Sequence, residues 1–318
     1  MNKKIRLYFC AIVLPLSMQG CFDSGETDYE RQVREDDEAI TAYLEANDIE
    51  AEKASSGVYV EKLTENAQGK QVVEDHVVGI LYTMTHLTGG HEIESHTDIL
   101  APLRFSNSFD LNLNAIHPAG LNYEIGGMRE GEKFRFYIPS VQAYENYSHD
   151  ELFDSYSNFI LEVDLVEVKT EEEIYEEEMD TIEAYLELNE PDAESYPNGL
   201  YYVLKEEGSG DQPNINSQVK FHYTRKYLDG TVIQSTLDGD PEQVHLNDNQ
   251  LVTGFKNGIL LMEEGEKAKL IMPSKLAFGK SVQVIPQALR EQLAEDGEIV
   301  QTKPYSPVIY EVELLEIN

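Results

Sequence analysis

The sequence predicts an α+β protein made of two copies of one unit, each an amphipathic helix followed by an antiparallel sheet. Three observations support this fold class: an internal repeat, a helical apolar period at the start of each copy, and apolar alternation in the segments that follow. A chain of 318 residues also exceeds what one small hydrophobic core normally requires. We therefore expect two domains in tandem.

The repeat is visible when the chain is compared with itself. EAITAYLEAN at 38–47 recurs as DTIEAYLELN at 180–189, and EVDL at 162–165 recurs as EVEL at 311–314. The separation between the copies differs from one matched segment to the next, as expected when the loops of a duplicated unit gain and lose residues. The two halves are therefore predicted to share one fold.

Each copy begins with a predicted amphipathic helix. In the second copy, apolar side chains recur at the spacing of one helix face, at Tyr175, Met179, Ile182 and Leu186. In the first copy, Asp37 interrupts the corresponding stripe, which consists of Val33, Ile40 and Leu44. We expect each stripe to pack on its own domain rather than on a partner protein.

The remainder of each copy is predicted to be mostly strand. Val219, Phe221 and Tyr223 alternate with polar residues, which is typical of a half-buried strand. One further helix is predicted for QALREQLAEDG, because Pro286 precedes it and Gly297 follows its last turn.

Residues 1–20 have the features of a secretory signal peptide, with a basic start and an apolar stretch, 7–16, that is too short to span a bilayer. Gly20 directly precedes Cys21, an arrangement that resembles the cleavage box of bacterial lipoproteins. We expect lipidation at Cys21 to anchor the protein to a membrane of the bacterial cell envelope, at the outer membrane or the periplasmic face, with 21–35 as an acidic tether. The alternative is a chance cysteine behind an ordinary signal peptide.

The charge of the chain argues against two classes of partner. A formal net charge of −36 repels nucleic acid phosphates and anionic lipid head groups. The acidic run at 171–180 lacks the ligand spacing of a calcium loop, so a solvated surface is favoured. The histidines of the first copy also lack metal-ligand spacing, at His76, His86, His91 and His96. We expect no metal and no cofactor.

The second copy contains several separated motifs in one order: FHYTRKYLDG (221–230), LVTGFKNGILLMEEGEKAKLIMPSKLAFG (251–279), VIP (284–286) and VIYEVELL (308–315). Together they resemble the FKBP-type peptidyl-prolyl cis-trans isomerase family over residues 195–318. The first copy is similar through GLNYEIGGMREGEKFRFYIPSVQAY (120–144) and FILEVDL (159–165), but is degenerate elsewhere.

The resemblance implies two FKBP-like domains, each a twisted antiparallel sheet wrapped on one short helix. We predict a first domain at 36–168, an acidic helical linker at 169–190 and a second domain at 191–318.

The resemblance also implies a function: a folding helper that isomerises X–Pro bonds in proline-containing polypeptide clients, without metal or cofactor. An apolar pocket in the second domain would favour the twisted amide, and we expect the reaction to be slow. The alternative is a non-catalytic chaperone or protein-binding lipoprotein that kept the fold and lost the chemistry.

Family positions transferred to the second domain imply eight catalytic-site residues: Tyr223, Ile233, Gln234, Leu251, Val252, Phe255, Phe278 and Tyr310. Gln234 stands where the family usually has aspartate, and Phe278 where a tyrosine hydroxyl holds the substrate. Each lost hydrogen bond costs about 1 kcal/mol, which slows the reaction several-fold. The Pro286 helix is an insertion, which we expect beside this pocket.

The first domain has a weaker set of matching positions, which implies a tentative substrate-binding site: Tyr82, Ile93, Glu94, Leu121, Tyr144 and Leu161. Leu121 stands where the family has a tryptophan at the floor of the pocket, and Leu161 stands where it has an inner aromatic residue. Glu94 keeps a carboxylate at the position of the family's aspartate. His117 and Pro118 fall where an aliphatic pair is expected. The alternative interpretation is that these residues are ordinary sheet core.

Overall fold

A computed structural model describes residues 26–108 and 115–318. The predicted signal peptide and Cys21 lie outside the described residues. The elements up to residue 169 are α1 (Asp28–Ala46), β1 (Glu52–Lys53), β2 (Tyr59–Thr64), β3 (Val77–His86), β4 (Glu92–His96), β5 (Leu103–Ser106), β6 (Ile116–His117), α2 (Ala119–Glu124), β7 (Lys133–Ile138) and β8 (Phe159–Lys169). Those that follow are α3 (Glu171–Asn189), β9 (Glu194–Ser195), β10 (Tyr201–Glu206), β11 (Gln218–Tyr227), β12 (Val232–Ser235), β13 (Glu242–His245), α4 (Thr253–Ile259), β14 (Lys267–Met272), β15 (Gln283–Val284), α5 (Gln287–Glu295) and β16 (Val308–Ile317).

Two seven-stranded antiparallel sheets form the body of the protein. The first has the order β1-β2-β7-β8-β3-β4, with β5 also paired to β3. The second has the corresponding order β9-β10-β14-β16-β11-β12, with β13 paired to β11. In each sheet, one short helix, α2 or α4, contributes buried side chains to the core cluster of that sheet. The predicted α+β fold class is confirmed.

The first helix begins earlier than the domain boundary predicts. Thr27 and Glu30 form a capping box, in which each side chain binds the backbone amide of the other residue. The predicted acidic tether at 21–35 is therefore helical from Asp28 onward. Thr170 and Glu173 form the same capping box at the start of α3.

The buried face of each long helix differs from the predicted stripe, and in both helices it includes one carboxylate. In α1 the buried residues are Asp36, Ile40 and Leu44, and in α3 they are Ile174, Glu178, Ile182 and Leu186. Val33 is exposed, and Tyr175 and Met179 lie at the edge of the buried face. A periodicity search that counts apolar residues alone misses a buried position that is acidic.

These two carboxylates perform the same structural task in both halves. Asp36 accepts hydrogen bonds from the Ser140 hydroxyl at 2.7 Å and the Val141 amide at 3.2 Å. Glu178 accepts one from the Ser274 amide at 2.8 Å. Each therefore binds the turn that follows the corresponding strand, β7 or β14, and fixes the long helix to its sheet.

Helix α3 contacts both halves. Its first turns form ion pairs with the first sheet, where Glu177 lies 3.0 Å from Arg104 and 2.6 Å from Lys169. Its last turns pack Ile182 and Leu186 against the second sheet, as expected for a stripe that serves its own domain. Within the described residues, no helix is long and apolar enough to cross a membrane.

The predicted extra helix is present as α5, and it belongs to an insertion at 280–307 between β14 and β16. This insertion extends from the second sheet to the first. Its strand β15 pairs in parallel with β6, with Gln283 opposite Ile116 and Val284 opposite His117. The His117–Pro118 and Ile285–Pro286 peptide bonds are cis.

Candidate functional site

Three aromatic rings of the second domain pack together where the sequence predicts the base of the apolar pocket, a predicted site that is called the hollow below. Tyr223 lies on β11, Tyr310 on β16 and Phe255 on α4. The Tyr310 ring centroid lies 5.0 Å from that of Phe255 and 5.6 Å from that of Tyr223. All three side chains are buried, so the strands and the short helix hold the rings in fixed positions.

The remaining predicted residues of this site lie around the rings. All of them are half-buried: Ile233, Gln234, Leu251, Val252 and Phe278. Val252 is the N-terminal cap of α4, and Gln234 is the register partner of Arg225 in the β11–β12 pair. The structure therefore gathers all eight residues into one region with an apolar base and a partly exposed rim.

Arg225 is a site residue that the sequence reasoning missed. It lies opposite Tyr310 in the β11–β16 register, and its guanidinium donates to the Tyr310 hydroxyl at 3.2 Å. The same guanidinium lies 4.5 Å from the centroid of the Phe278 ring. The side chain is buried, so a cation occupies the side of the hollow between these two rings. Because successive side chains of a strand point to opposite faces of the sheet, Arg225 lies on the same face of β11 as Tyr223. The pattern of FHYTRKYLDG could therefore have identified it.

The two tyrosines at the base of the hollow are neutral at physiological pH. Burial raises the pKa of Tyr223 to about 12. Burial also raises the pKa of Tyr310, although the neighbouring Arg225 cation opposes that shift. The rings themselves are therefore neutral, with the Arg225 cation beside Phe278 and the Glu242 carboxylate close enough to act on both tyrosines.

Comparison with known proteins agrees with this geometry. The family profile described as FKBP-type peptidyl-prolyl cis-trans isomerase matches residues 210–315. FK506-binding protein 2 of Yarrowia lipolytica is 37% identical over 123 residues, which are 38% of this chain and 74% of that protein. The chain belongs to the FKBP family.

Other relatives match the FKBP chain over part of their length. The FKBP-type peptidyl-prolyl cis-trans isomerase FkpA of Aeromonas hydrophila is 39% identical over 101 residues, 31% of this chain and 37% of that protein. The chain likewise spans less than two thirds of several other curated relatives that it matches. The crystal structure of FkpA from Escherichia coli matches with a TM-score of 0.36 and 22% identity, covering 46% of this chain and 62% of that chain.

The first FKBP domain places its predicted residues in the same register as the second. In the first domain, Met84 on β3 pairs with Glu94 on β4 and with Leu161 on β8. In the second domain, Arg225 on β11 pairs in the same way with Gln234 on β12 and with Tyr310 on β16. Helix α2 begins directly after Pro118, just as α4 begins after Val252. His117 and Pro118 therefore occupy the place predicted for the aliphatic pair.

The side chains of this first FKBP site are packed together. Leu121 and Leu161 are fully buried, and Ile93 packs against the same cluster. The Tyr144 ring stacks on Phe153, with 5.0 Å between the centroids. Burial raises the pKa of the Tyr144 hydroxyl, and this hydroxyl has no hydrogen-bond partner within the described residues.

The insertion of the second FKBP domain contacts this first site directly. The Gln287 amide donates to one carboxylate oxygen of Glu94 at 2.7 Å, and the Tyr82 hydroxyl donates to the other. The expectation that the Pro286 helix lies beside the second-domain hollow is therefore wrong. Its apolar residues Ile285 and Leu289 are instead buried in the core cluster of the first domain.

The returning end of the insertion approaches the second FKBP site. The Gln301 side chain accepts a hydrogen bond from Arg225 at 3.4 Å, and the Lys303 amide donates to the Tyr227 hydroxyl at 2.9 Å.

No group of three or more metal-ligating side chains is found among residues 26–108 and 115–318.

Proposed function

We propose that the second FKBP domain isomerises X–Pro peptide bonds of polypeptide clients in the bacterial cell envelope. One observation carries the proposal: Tyr223, Phe255 and Tyr310 form a neutral aromatic base beneath a half-buried apolar rim. Such a surface can shelter a prolyl ring and the amide that precedes it. The envelope location rests on the expected lipidation of Cys21.

The chemistry requires only a change of environment around the amide. Resonance stiffens the C–N bond, and the barrier to rotation is about 18–20 kcal/mol. Rotation breaks the resonance and reduces the charge separation of the amide. A water-poor aromatic hollow therefore favours the twisted amide over the planar one, and only this difference in binding accelerates the step.

The polar groups of the hollow explain why we expect a slow enzyme. Phe278 has no hydroxyl to hold a substrate carbonyl, and Gln234 is neutral. The Arg225 guanidinium adds a charge beside the rings, at 4.5 Å from the Phe278 centroid and 5.8 Å from the Tyr310 centroid. A cation raises the local polarity, which favours the planar, charge-separated amide over the twisted one.

Isomerisation of a prolyl peptide by the whole mature chain tests the proposal, measured by exchange NMR or a protease-coupled assay. We expect acceleration over the uncatalysed rate, and a loss of most of it in Phe255→Leu, which removes a ring from the base. Phe221→Leu is the matched control, because the Phe221 ring also packs on Phe255, with 5.0 Å between the centroids, but Phe221 is not one of the eight predicted site residues. Equal activity in the wild type and Phe255→Leu would contradict the proposed site.

A second candidate function is client binding without catalysis. The buried Arg225 cation favours it, because a charge beside the rings weakens the preference for a twisted amide while leaving an apolar surface for binding. Suppression of aggregation of an unfolded protein, measured together with isomerisation, separates the two. Suppression without any isomerase activity would leave only the binding role.

A further inference from the structure

The first FKBP domain has a site that is already filled by another part of the same chain. We propose that this site is a prolyl-peptide groove whose resident ligand is the segment 283–287 of the second domain, held there in place of a client. The inference goes beyond the isomerase proposal, which concerns the second domain alone.

The apolar contacts of the segment are those of a ligand seated in a pocket. Ile285 is fully buried and Val284 is 3% exposed. Both belong to the core cluster that contains the predicted site residues Tyr82, Leu121 and Leu161. Two branched aliphatic side chains are thereby removed from water, which stabilises the contact in proportion to the apolar area buried.

The backbone of the segment is also recognised. The Gln283 amide donates to the Ala115 carbonyl at 3.2 Å, and the Ile285 amide donates to the His117 carbonyl at 2.9 Å. This is the addition of an extended peptide to a strand edge, in which main-chain hydrogen bonds provide affinity and side-chain pockets provide specificity. The partner strand β6 leads directly into α2, the short helix of the first site.

A carboxylate fixes the end of the segment. Glu94 lies where the family has an acidic residue. Its two carboxylate oxygens accept hydrogen bonds from the Tyr82 hydroxyl and from the backbone amide of Gln287. A hydrogen bond to a charged acceptor is stronger than one between two neutral groups. The groove therefore recognises a branched aliphatic residue, then proline, then a residue with a free amide.

Covalent connection gives this ligand an advantage over any client. The insertion is attached at both ends, to β14 and β16, so its binding is intramolecular and its effective concentration is on the order of millimolar. Arg290 of α5 also donates to the carbonyls of Val300, Gln301 and Thr302, which ties the outgoing helix to the returning loop. A client at micromolar concentration cannot compete.

The test uses the full mature chain and a labelled peptide with the sequence of residues 282–289, carrying a photo-crosslinker. Ile285→Asp places a charge in the apolar pocket and should release the segment. Ala288→Asp is the matched control, because it adds the same charge three residues further along, at an exposed position. The attachment sites are mapped by mass spectrometry, and hydrogen exchange at 281–290 reports release.

We expect crosslinks to residues 82–161 in Ile285→Asp, together with faster exchange at 281–290. The wild type and Ala288→Asp should lack crosslinks to residues 82–161. Two results would overturn the proposal: crosslinks to the first domain in the wild type at the level of Ile285→Asp, or no crosslinks there in an Ile285→Asp chain whose segment exchanges freely. Neither depends on whether the second domain has isomerase activity.

Discussion

The backbone amide of Gln287 donates a 2.7 Å hydrogen bond to Glu94, although 193 residues separate them in the sequence. This bond joins the insertion of one FKBP domain to the acidic residue of the other domain's site. The two domains are therefore connected through the site that the sequence predicts for the first domain. The apolar side chains of the Pro286 helix pack on the first domain and not on the second-domain site.

The position of Arg225 leads to a prediction about rate. Arg225→Ala removes the cation beside Phe278 and Tyr310, and we expect kcat/KM for a prolyl peptide to rise several-fold, which corresponds to about 1 kcal/mol. Lys226→Ala is the control, because Lys226 is the next residue on β11 and forms an ion pair with Glu311 at 2.6 Å. A fall in kcat/KM for Arg225→Ala would mean that the guanidinium binds the substrate.

The chain contains no tryptophan, so Phe255→Trp introduces a single tryptophan at the base of the second-domain hollow, and its emission can be excited apart from that of the tyrosines. We expect its fluorescence to change and saturate as a prolyl peptide is added. A peptide with alanine in place of proline should produce a much smaller change. An emission that does not respond at peptide concentrations that saturate the isomerase would place the substrate elsewhere.

The buried carboxylate of α3 leads to a prediction about stability and pH. Burial raises the pKa of Glu178, so the folded chain keeps this proton to a higher pH than the unfolded chain does. The protonated Glu178 side chain is therefore the form that the folded chain favours. Its contribution to the free energy of unfolding is fully present below the unfolded pKa and is lost as pH rises through the folded pKa. We expect Glu178→Gln to match the wild type near pH 4 and to be more stable near pH 7, by about 1 kcal/mol.

The equivalent substitution in the first domain should have the opposite effect at pH 7. Asp36 accepts from Ser140, Val141 and Gln32, so an asparagine amide would turn its own donor towards another donor. Glu178 has one oxygen without a partner in the described residues. We expect Asp36→Asn to destabilise by about 1–3 kcal/mol, measured by denaturant unfolding. Equal effects of the two substitutions would contradict this difference.

The lipid anchor is tested at one residue. Cys21→Ser should move the protein from the membrane fraction to the soluble fraction, because several acyl chains at one cysteine are enough for stable attachment. The fractions are compared by immunoblot of cells that express each form at equal levels. An unchanged membrane fraction would refute lipidation at this cysteine.

Much of the second-domain site could be predicted from the sequence because its residues lie on regular elements. Alternation along β11 places Tyr223 on the buried face, and the same rule applied two residues later reaches Arg225. The motif around α4 provides Val252 and Phe255. Because Arg225 is polar, it was not expected among the apolar residues that line the site. Its place on the same strand face as Tyr223 follows from the sequence alone.

The sequence by itself determined the duplication, the α+β class and the faces of the strands, because these depend on local period and on repeated local patterns. Only the tertiary structure decided where the Pro286 helix packs and what fills the first site. The apolar residues of 284–289 could be buried against either domain. The choice depends on which surface complements them in three dimensions, and no local pattern encodes a contact between Glu94 and Gln287.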